Sequence, residues 1–300
     1  MSSPVEGMSV LVTGATGFIG RALCRALDAE GAIVHALSRG GQKPEGATDA
    51  WACDAADHPS LSRVVHAVRP ALVYHLAAQV TGTREVEAVL PIFHAKLTSC
   101  VNLLVATQDL AECRVVLAGS LEEPDIGTMG PLVSPYAAAT SAATAFGEMF
   151  HSLYDRAIVT ARIFMAYGPD DPNGDRLVPY VTRMLLRGES PELGSGMREV
   201  DWIYIDDLVR GLVTLGAPDG PVGGHVDLGS GRLVPIRSVV DRLVELVGSR
   251  IQPRFGARPD PPGERIRAAD LASTRARIDW TPRVSLDEGL RRTVDSMRVS

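Results

Sequence analysis

The sequence predicts an α/β fold: a Rossmann-type doubly wound parallel sheet with a smaller carboxy-terminal substrate-binding lobe. Three observations predict it. Through the first half, apolar β-branched runs bounded by glycine or polar residues alternate with helix-like stretches, the order that builds a parallel sheet covered on both faces. A glycine-rich turn follows directly on the first of these runs. After Phe164 the alternation gives way to turn-rich stretches at 168–174, 188–196, 216–224 and 254–263.

In chain order, strands are expected at 9–13, 32–37, 71–76, 115–118 and 158–164, with helices at 19–29, 61–68, 95–110 and 135–154. Helical periods return at 178–186, 205–215, 236–247 and 286–297. At 300 residues and 45% hydrophobic, the chain can bury one large core with a smaller lobe on it.

A net charge of −6 with 22% charged residues leaves no basic face for a phosphate backbone, so nucleic acid is not an expected partner. No uninterrupted apolar run reaches the roughly 18 residues needed to cross a bilayer. The opening MSSPVEG lacks the charged and apolar regions of a signal peptide. The expectation is a soluble, cytoplasmic protein with no membrane partner. Cys24, Cys53, Cys100 and Cys113 are scattered without a C-x-x-C pair or neighbouring histidines, so neither a metal site nor a disulfide framework is expected. Lysine occurs only at 43 and 96, which makes each one informative.

The first strand runs straight into Gly14-Ala15-Thr16-Gly17-Phe18-Ile19-Gly20 and then a helix. Glycines there let the backbone turn tightly and approach a pyrophosphate, while the helix N–H groups face the anion. At the tip of the second strand an acid would accept a ribose 2′-hydroxyl and repel a 2′-phosphate. The tip reads Ala36-Leu37-Ser38-Arg39, a hydroxyl and a guanidinium suited to phosphate. NADP(H) is therefore the expected cofactor, with NAD as the alternative. Asp54, between the expected strands at 32–37 and 71–76, either contacts the adenine or caps the next helix. Residues 1–165 are then the NADP(H)-binding domain, with a segment around 200–228 returning to it, and 166–300 mainly the substrate lobe.

Further motifs follow: His75-Leu76-Ala77-Ala78, Ser120, Ser134-Pro135-Tyr136, Tyr167-Gly168-Pro169, the run from Arg198 through Asp201-Trp202-Ile203-Tyr204 to Asp207, Leu228-Gly229-Ser230-Gly231 and Asp279-Trp280-Thr281-Pro282. With these the chain resembles, over nearly its whole length, the extended short-chain dehydrogenase/reductases, and within them the nucleotide-sugar epimerase/dehydratase/ketoreductase group. The resemblance implies that Tyr136 exchanges a proton with a sugar oxygen held by Ser120, while Leu76, Ala77 and Ala78 line the cofactor. It also implies a nucleotide-diphosphate sugar as substrate and a homodimer formed through the helices carrying Lys96 and Tyr136.

Two positions depart from that pattern. The group places a lysine four residues after the tyrosine, one helical turn along the same face, and this chain has Thr140. A full charge about 5 Å away at an effective dielectric near 20 is worth about 3 kcal/mol, enough to lower a tyrosine pKa by about two. Lys96 stands where the group usually has an asparagine, so its ammonium is expected to reach the Tyr136 hydroxyl or the cofactor ribose. Without the usual lysine, oxidising a hydroxyl is handicapped more than reducing a ketone, because tyrosine is already a proton donor at neutral pH.

Related 4,6-dehydratases place Asp-Glu after the hydroxyl residue. Leu121 replaces the acid here and Glu122 keeps the position of the base. For the nucleotide sugar, Arg198 is expected on the diphosphate, Arg258 or Arg265 as a second contact, and Arg176, Leu177 and Val178 at the base pocket. Thr81 and Met165 are expected to line the sugar, Met165 replacing the group's asparagine. The reading is NADP(H)-dependent reduction at C4 of a nucleotide-linked keto-deoxysugar, made for an antibiotic, another secondary metabolite or a surface glycan. The alternatives are an epimerase or dehydratase with tightly bound NAD, and a non-catalytic NADP(H) sensor or scaffold.

Overall fold

The computed structural model describes residues 3–124, 132–263 and 265–299. In chain order they form β1 (Ser9–Thr13), α1 (Phe18–Ala29), β2 (Ile33–Ser38), β3 (Asp49–Ala52), α2 (His58–Val68), β4 (Leu72–His75), α3 (Val89–Ile92), α4 (Ser99–Ala106), β5 (Arg114–Ser120) and α5 (Pro135–Tyr154). There follow β6 (Ile158–Ile163), β7 (Met165–Tyr167), α6 (Leu177–Leu186), β8 (Glu199–Tyr204), α7 (Ile205–Gly216), β9 (His225–Leu228), β10 (Leu233–Pro235), α8 (Ile236–Val247), α9 (Leu271–Arg277) and α10 (Leu286–Val299).

The main sheet runs β3-β2-β1-β4-β5-β6-β9 and every pairing in it is parallel. Side chains alternate across it. Val10, Val12, Leu72, Tyr74 and Val116 face α1 and α7, while Leu11, Val73, Val115 and Leu117 face α2, α4 and α5. Both faces are buried, which explains why the strands read as unbroken apolar runs. Strand order reverses between β1 and β4, and in open sheets of this kind ligands bind beyond the carboxyl ends of the strands at such a point.

A second sheet, β10-β8-β7, is packed by α8 and α10, and α6 packs on those two helices. The chain does not stay there. α7 starts directly after β8 and packs on α1, and β9 adds to the edge of β6, so residues 205–228 lie on the main sheet. Asp201 of β8, 1% exposed, accepts the N–H groups of Ser230, Gly231 and Ala269 and thereby ties the small sheet to the late loop.

The helix expected at 95–110 instead begins at Val86 and ends at Ala106, as a 3₁₀ turn, α3, a π turn at Phe93–Thr98 and α4. Glu87, His94 and Lys96 interrupt its apolar period, and the π turn adds a residue that shifts it. This run of 21 residues, mean hydropathy 1.5, is long and apolar enough to cross a membrane by length and composition, although no uninterrupted apolar run is. One third of it is buried. Ile92, Leu103 and Leu104 enter the core, while Val86, Val89, Leu90 and Phe93 remain exposed.

Candidate active site

The glycine turn between β1 and α1 is built for close approach. Gly14 has φ +70°, and a Cβ there would meet Ala77 N at 2.8 Å; a Cβ on Gly20 would lie 2.2 Å from Gly14 O. Gly17 caps α1 without a side-chain hydrogen bond, and no acid occupies the first turn. The first N–H groups and the positive end of the helix are therefore open to an anion, the arrangement a dinucleotide pyrophosphate requires. Phe18 is buried and Ile19 half-buried behind this turn.

Behind the turn, His75 Nδ1 meets Thr13 Oγ1 at 2.9 Å and its Nε2 meets Ser99 Oγ at 3.2 Å. Thr13 Oγ1 accepts from Ala77 N, and Ser99 Oγ donates to Ala95 O. Every partner is satisfied if Thr13 donates to Nδ1 and Nε2–H donates to Ser99, which assigns the neutral Nε2–H tautomer. Burial pulls the His75 pKa down to about 3, with Lys96 adding in the same direction. This network fixes the Leu76–Ala78 segment against the glycine turn.

At the tip of β2, Ser38 is buried with Oγ 3.5 Å from Gln42 Oε1, and Arg39 is exposed. Thr16, Arg21, Gln42, Lys43 and Glu45 line a cavity of about 290 Å³ beside them. Asp54 is exposed and accepts Ala56 N–H, closing a local turn; Asp57 is the cap residue of α2.

The structure brings the Ser120 and Tyr136 hydroxyls together. Ser120 ends β5, and Tyr136 is the second residue of α5, whose cap Ser134 accepts Ala137 N–H. Ser134 Oγ donates to Glu122 Oε2 at 3.0 Å, and Glu122 N donates to Ser120 Oγ at 3.2 Å. Burial pushes the Tyr136 phenol up to about 12; the Thr140 and Ser120 hydroxyls pull it down, and Glu123 and Glu122 push it further up. Thr140 Oγ1 lies beside the phenol, fully buried.

Lys96 is buried in the π turn, and its Nζ donates to Ala118 O at 2.5 Å. Its ammonium thus serves the β5 backbone, where the sequence reading placed it on the tyrosine or the ribose.

Two of the four arginines join the turn that follows Ser120. Arg265 Nε donates to Glu122 O at 3.1 Å and Arg198 Nη2 to Arg265 O at 3.3 Å. Arg176 pairs with Asp171 and lies 5.8 Å from the Phe18 ring centroid, just before Leu177 and buried Val178. Arg258 is exposed over the Tyr180 ring. Thr81 closes a turn onto Thr83 N, and Met165 is half-buried in β7, paired with Trp202.

Residues the sequence reading did not assign also converge here. Arg84 donates to Val133 O and Pro262 O, both at 2.9 Å, clasping the late loop to the entrance of α5. Arg267 donates to Glu123 O. Glu123, 5% exposed, accepts Ser120 N–H at 2.6 Å. A second carboxylate beside Glu122 was the available signal for Glu123; no local pattern marks Arg84.

Comparison with known proteins agrees with this geometry. Residues 10–229 match the family described as NAD dependent epimerase/dehydratase family. A UDP-glucose 4-epimerase of Mycolicibacterium smegmatis is 30% identical, covering 97% of this chain and 99% of its own. The structure of a UDP-glucose 4-epimerase of Thermotoga maritima with UDP-glucose has a TM-score of 0.87 at 26% identity, covering 97% of this chain and 98% of its own. One from Thermus thermophilus, in complex with NAD, has a TM-score of 0.84 at 26% identity, covering 96% and 98%.

Proposed function

The chain belongs to the NAD dependent epimerase/dehydratase family, and from that premise we propose that it is a nucleotide-sugar 4-epimerase working with NAD held over the glycine turn. The observation that carries the reading is end-to-end similarity to a UDP-glucose 4-epimerase, joined to a Ser120–Tyr136 hydroxyl pair where β5 ends and α5 begins. Epimerisation thus takes precedence over the reduction expected from the sequence.

In this reading Tyr136 takes the proton of a sugar hydroxyl and later returns it. Ser120 Oγ accepts Glu122 N–H and keeps its own proton to donate to the same oxygen. Arg198 and Arg265 hold the diphosphate, and Glu122 is fixed by Ser134 beside the reacting carbons. NAD, when bound, would supply a hydride acceptor and donor and, in its oxidised form, a positive charge. The uncapped helix and the bare Gly14 and Gly20 fit its pyrophosphate.

The reductase is the second reading, favoured by one observation. A phenol held near 12 is a ready proton donor and a reluctant base. Cofactor choice divides the same way, because the NAD complex of the Thermus relative supports NAD while the Lys43-lined cavity beside Ser38 suits a 2′-phosphate. We carry NAD as the cofactor. The exposed Val89, Leu90 and Phe93, with Phe146 and Leu153 of α5, are read as the face covered by a second copy in a homodimer.

Incubating the NAD-loaded protein with UDP-glucose and resolving the products by chromatography tests the main reading. UDP-galactose is the expected product. No conversion of UDP-glucose, together with NADPH consumption on a 4-keto nucleotide sugar, would establish the reductase instead.

A further inference from the structure

β5 runs past the end of its neighbour. The register of β4 and β5 stops at His75 and Leu117, whereas β5 continues to Ser120. Along β5 the even-numbered residues turn their backbone groups toward β4, as Arg114 N does to Ala71 O. The odd-numbered ones turn toward β6, as Val115 N does to Ala157 O and Leu121 N to Ile163 O. The next rung would join Ala77 N to Ala118 O, but Ala77 N donates to Thr13 Oγ1 instead. Ala118 O and Ser120 N therefore face a place where no strand remains, and buried backbone groups must be paired.

Two buried charged side chains take those rungs. Lys96 Nζ donates to Ala118 O at 2.5 Å, and Glu123 Oε1 accepts from Ser120 N at 2.6 Å. Donor meets orphaned acceptor and acceptor meets orphaned donor. The residue between them is shaped for this, since a Cβ on Gly119 would lie 2.5 Å from Glu123 Oε1. Thr144 of α5 steadies the same carboxylate.

We propose that Lys96 and Glu123 are positioning residues that replace the missing end of β4 and so hold the Ser120 hydroxyl in register with Tyr136. The proposal rests on the reading that Ser120 and Tyr136 share the sugar oxygen. It separates two roles for Glu123. A rung needs only an acceptor oxygen, whereas an electrostatic or proton-relay role needs the charge.

The test compares NAD-loaded wild type, Glu123→Leu, Glu123→Gln and Lys96→Met in UDP-glucose epimerisation, with NAD affinity and amide exchange at Ser120 measured on the same samples. Misplacement of a reacting group by about 1 Å costs on the order of a hundredfold in rate. The Leu and Met variants are expected to lose about tenfold to hundredfold in kcat with KM and NAD affinity moved less than about threefold. Glu123→Gln, which keeps the acceptor, recovers most of the loss, and exchange at Ser120 accelerates in Glu123→Leu but not in Glu123→Gln. Unchanged kcat in Glu123→Leu, a Gln variant as slow as Leu, or unchanged Ser120 exchange each overturns the proposal. If Glu123→Leu does not fold, Gly119→Ala displaces the carboxylate while keeping both buried charges, and the same losses are expected. A wild type inert on nucleotide sugars would refute the epimerase reading, while the exchange data would still decide the strand-end clamp.

Discussion

Tyr136 is where the chemistry is most sensitive to single atoms. Its reactive base is the ionised phenol. With the group pushed up to about 12, the ionised fraction rises about tenfold per pH unit from neutrality upward. The oxidation that opens epimerisation therefore accelerates with pH, while a reduction, which needs the protonated phenol, stays flat over the same range. Single-turnover absorbance of the reduced cofactor from pH 6 to 10, with UDP-glucose added, distinguishes the two. Thr140→Lys, restoring a charge one turn along α5, should move the alkaline rise down by about two pH units; an unmoved profile would show that Thr140 is not what sets it. Ser120 and Tyr136 were legible in the sequence because their types and context are shared with a known group. The partner of Lys96 was not, because it depends on how far β5 outruns β4, which no local pattern encodes.

Elements set those residues, and the π turn and the glycine turn matter most. His75 joins them as a neutral imidazole whose pKa burial holds near 3, whereas in the unfolded chain it titrates near 6.5. Between those values the unfolded state binds a proton that the native state excludes, so stability falls as pH drops from about 6.5 toward 3. His75→Gln should flatten part of that fall in calorimetric melting temperature between pH 7 and 4; an equally steep variant would contradict the assignment. Gly20→Ala, which sets a Cβ against Gly14 O at 2.2 Å, is expected to weaken NAD binding by at least about tenfold in fluorescence titration. Five of the seven strands of the main sheet, with α5 and α8, were readable from period and punctuation, whereas the short β3 and β9 were not. The start of the Lys96 helix was not, since Glu87, His94 and Lys96 blur the period and a π turn has no sequence signature of its own.

For the whole molecule, alternating strands and helices announced the parallel sheet, and a segment around 200–228 was expected to return to it; the separate sheet of β7, β8 and β10 was not expected. Residues 205–228 reach the main sheet because α7 carries a continuous apolar face onto α1, whereas β7, β8 and β10 pair among themselves. The exposed apolar residues on the 86–106 helical run and α5 predict a dimer. Phe93→Glu combined with Leu90→Glu should halve the mass seen by light scattering, and an unchanged mass would place the interface elsewhere. Every part of the account meets in one event, transfer of a proton between Tyr136 and a nucleotide sugar beside the cofactor. Conversion of UDP-glucose by wild type and by Tyr136→Phe, with NAD affinity measured on the same samples, tests it most directly. The account predicts UDP-galactose from the wild type and a loss of at least about a hundredfold in the variant at unchanged NAD affinity; equal turnover by the two proteins would contradict it.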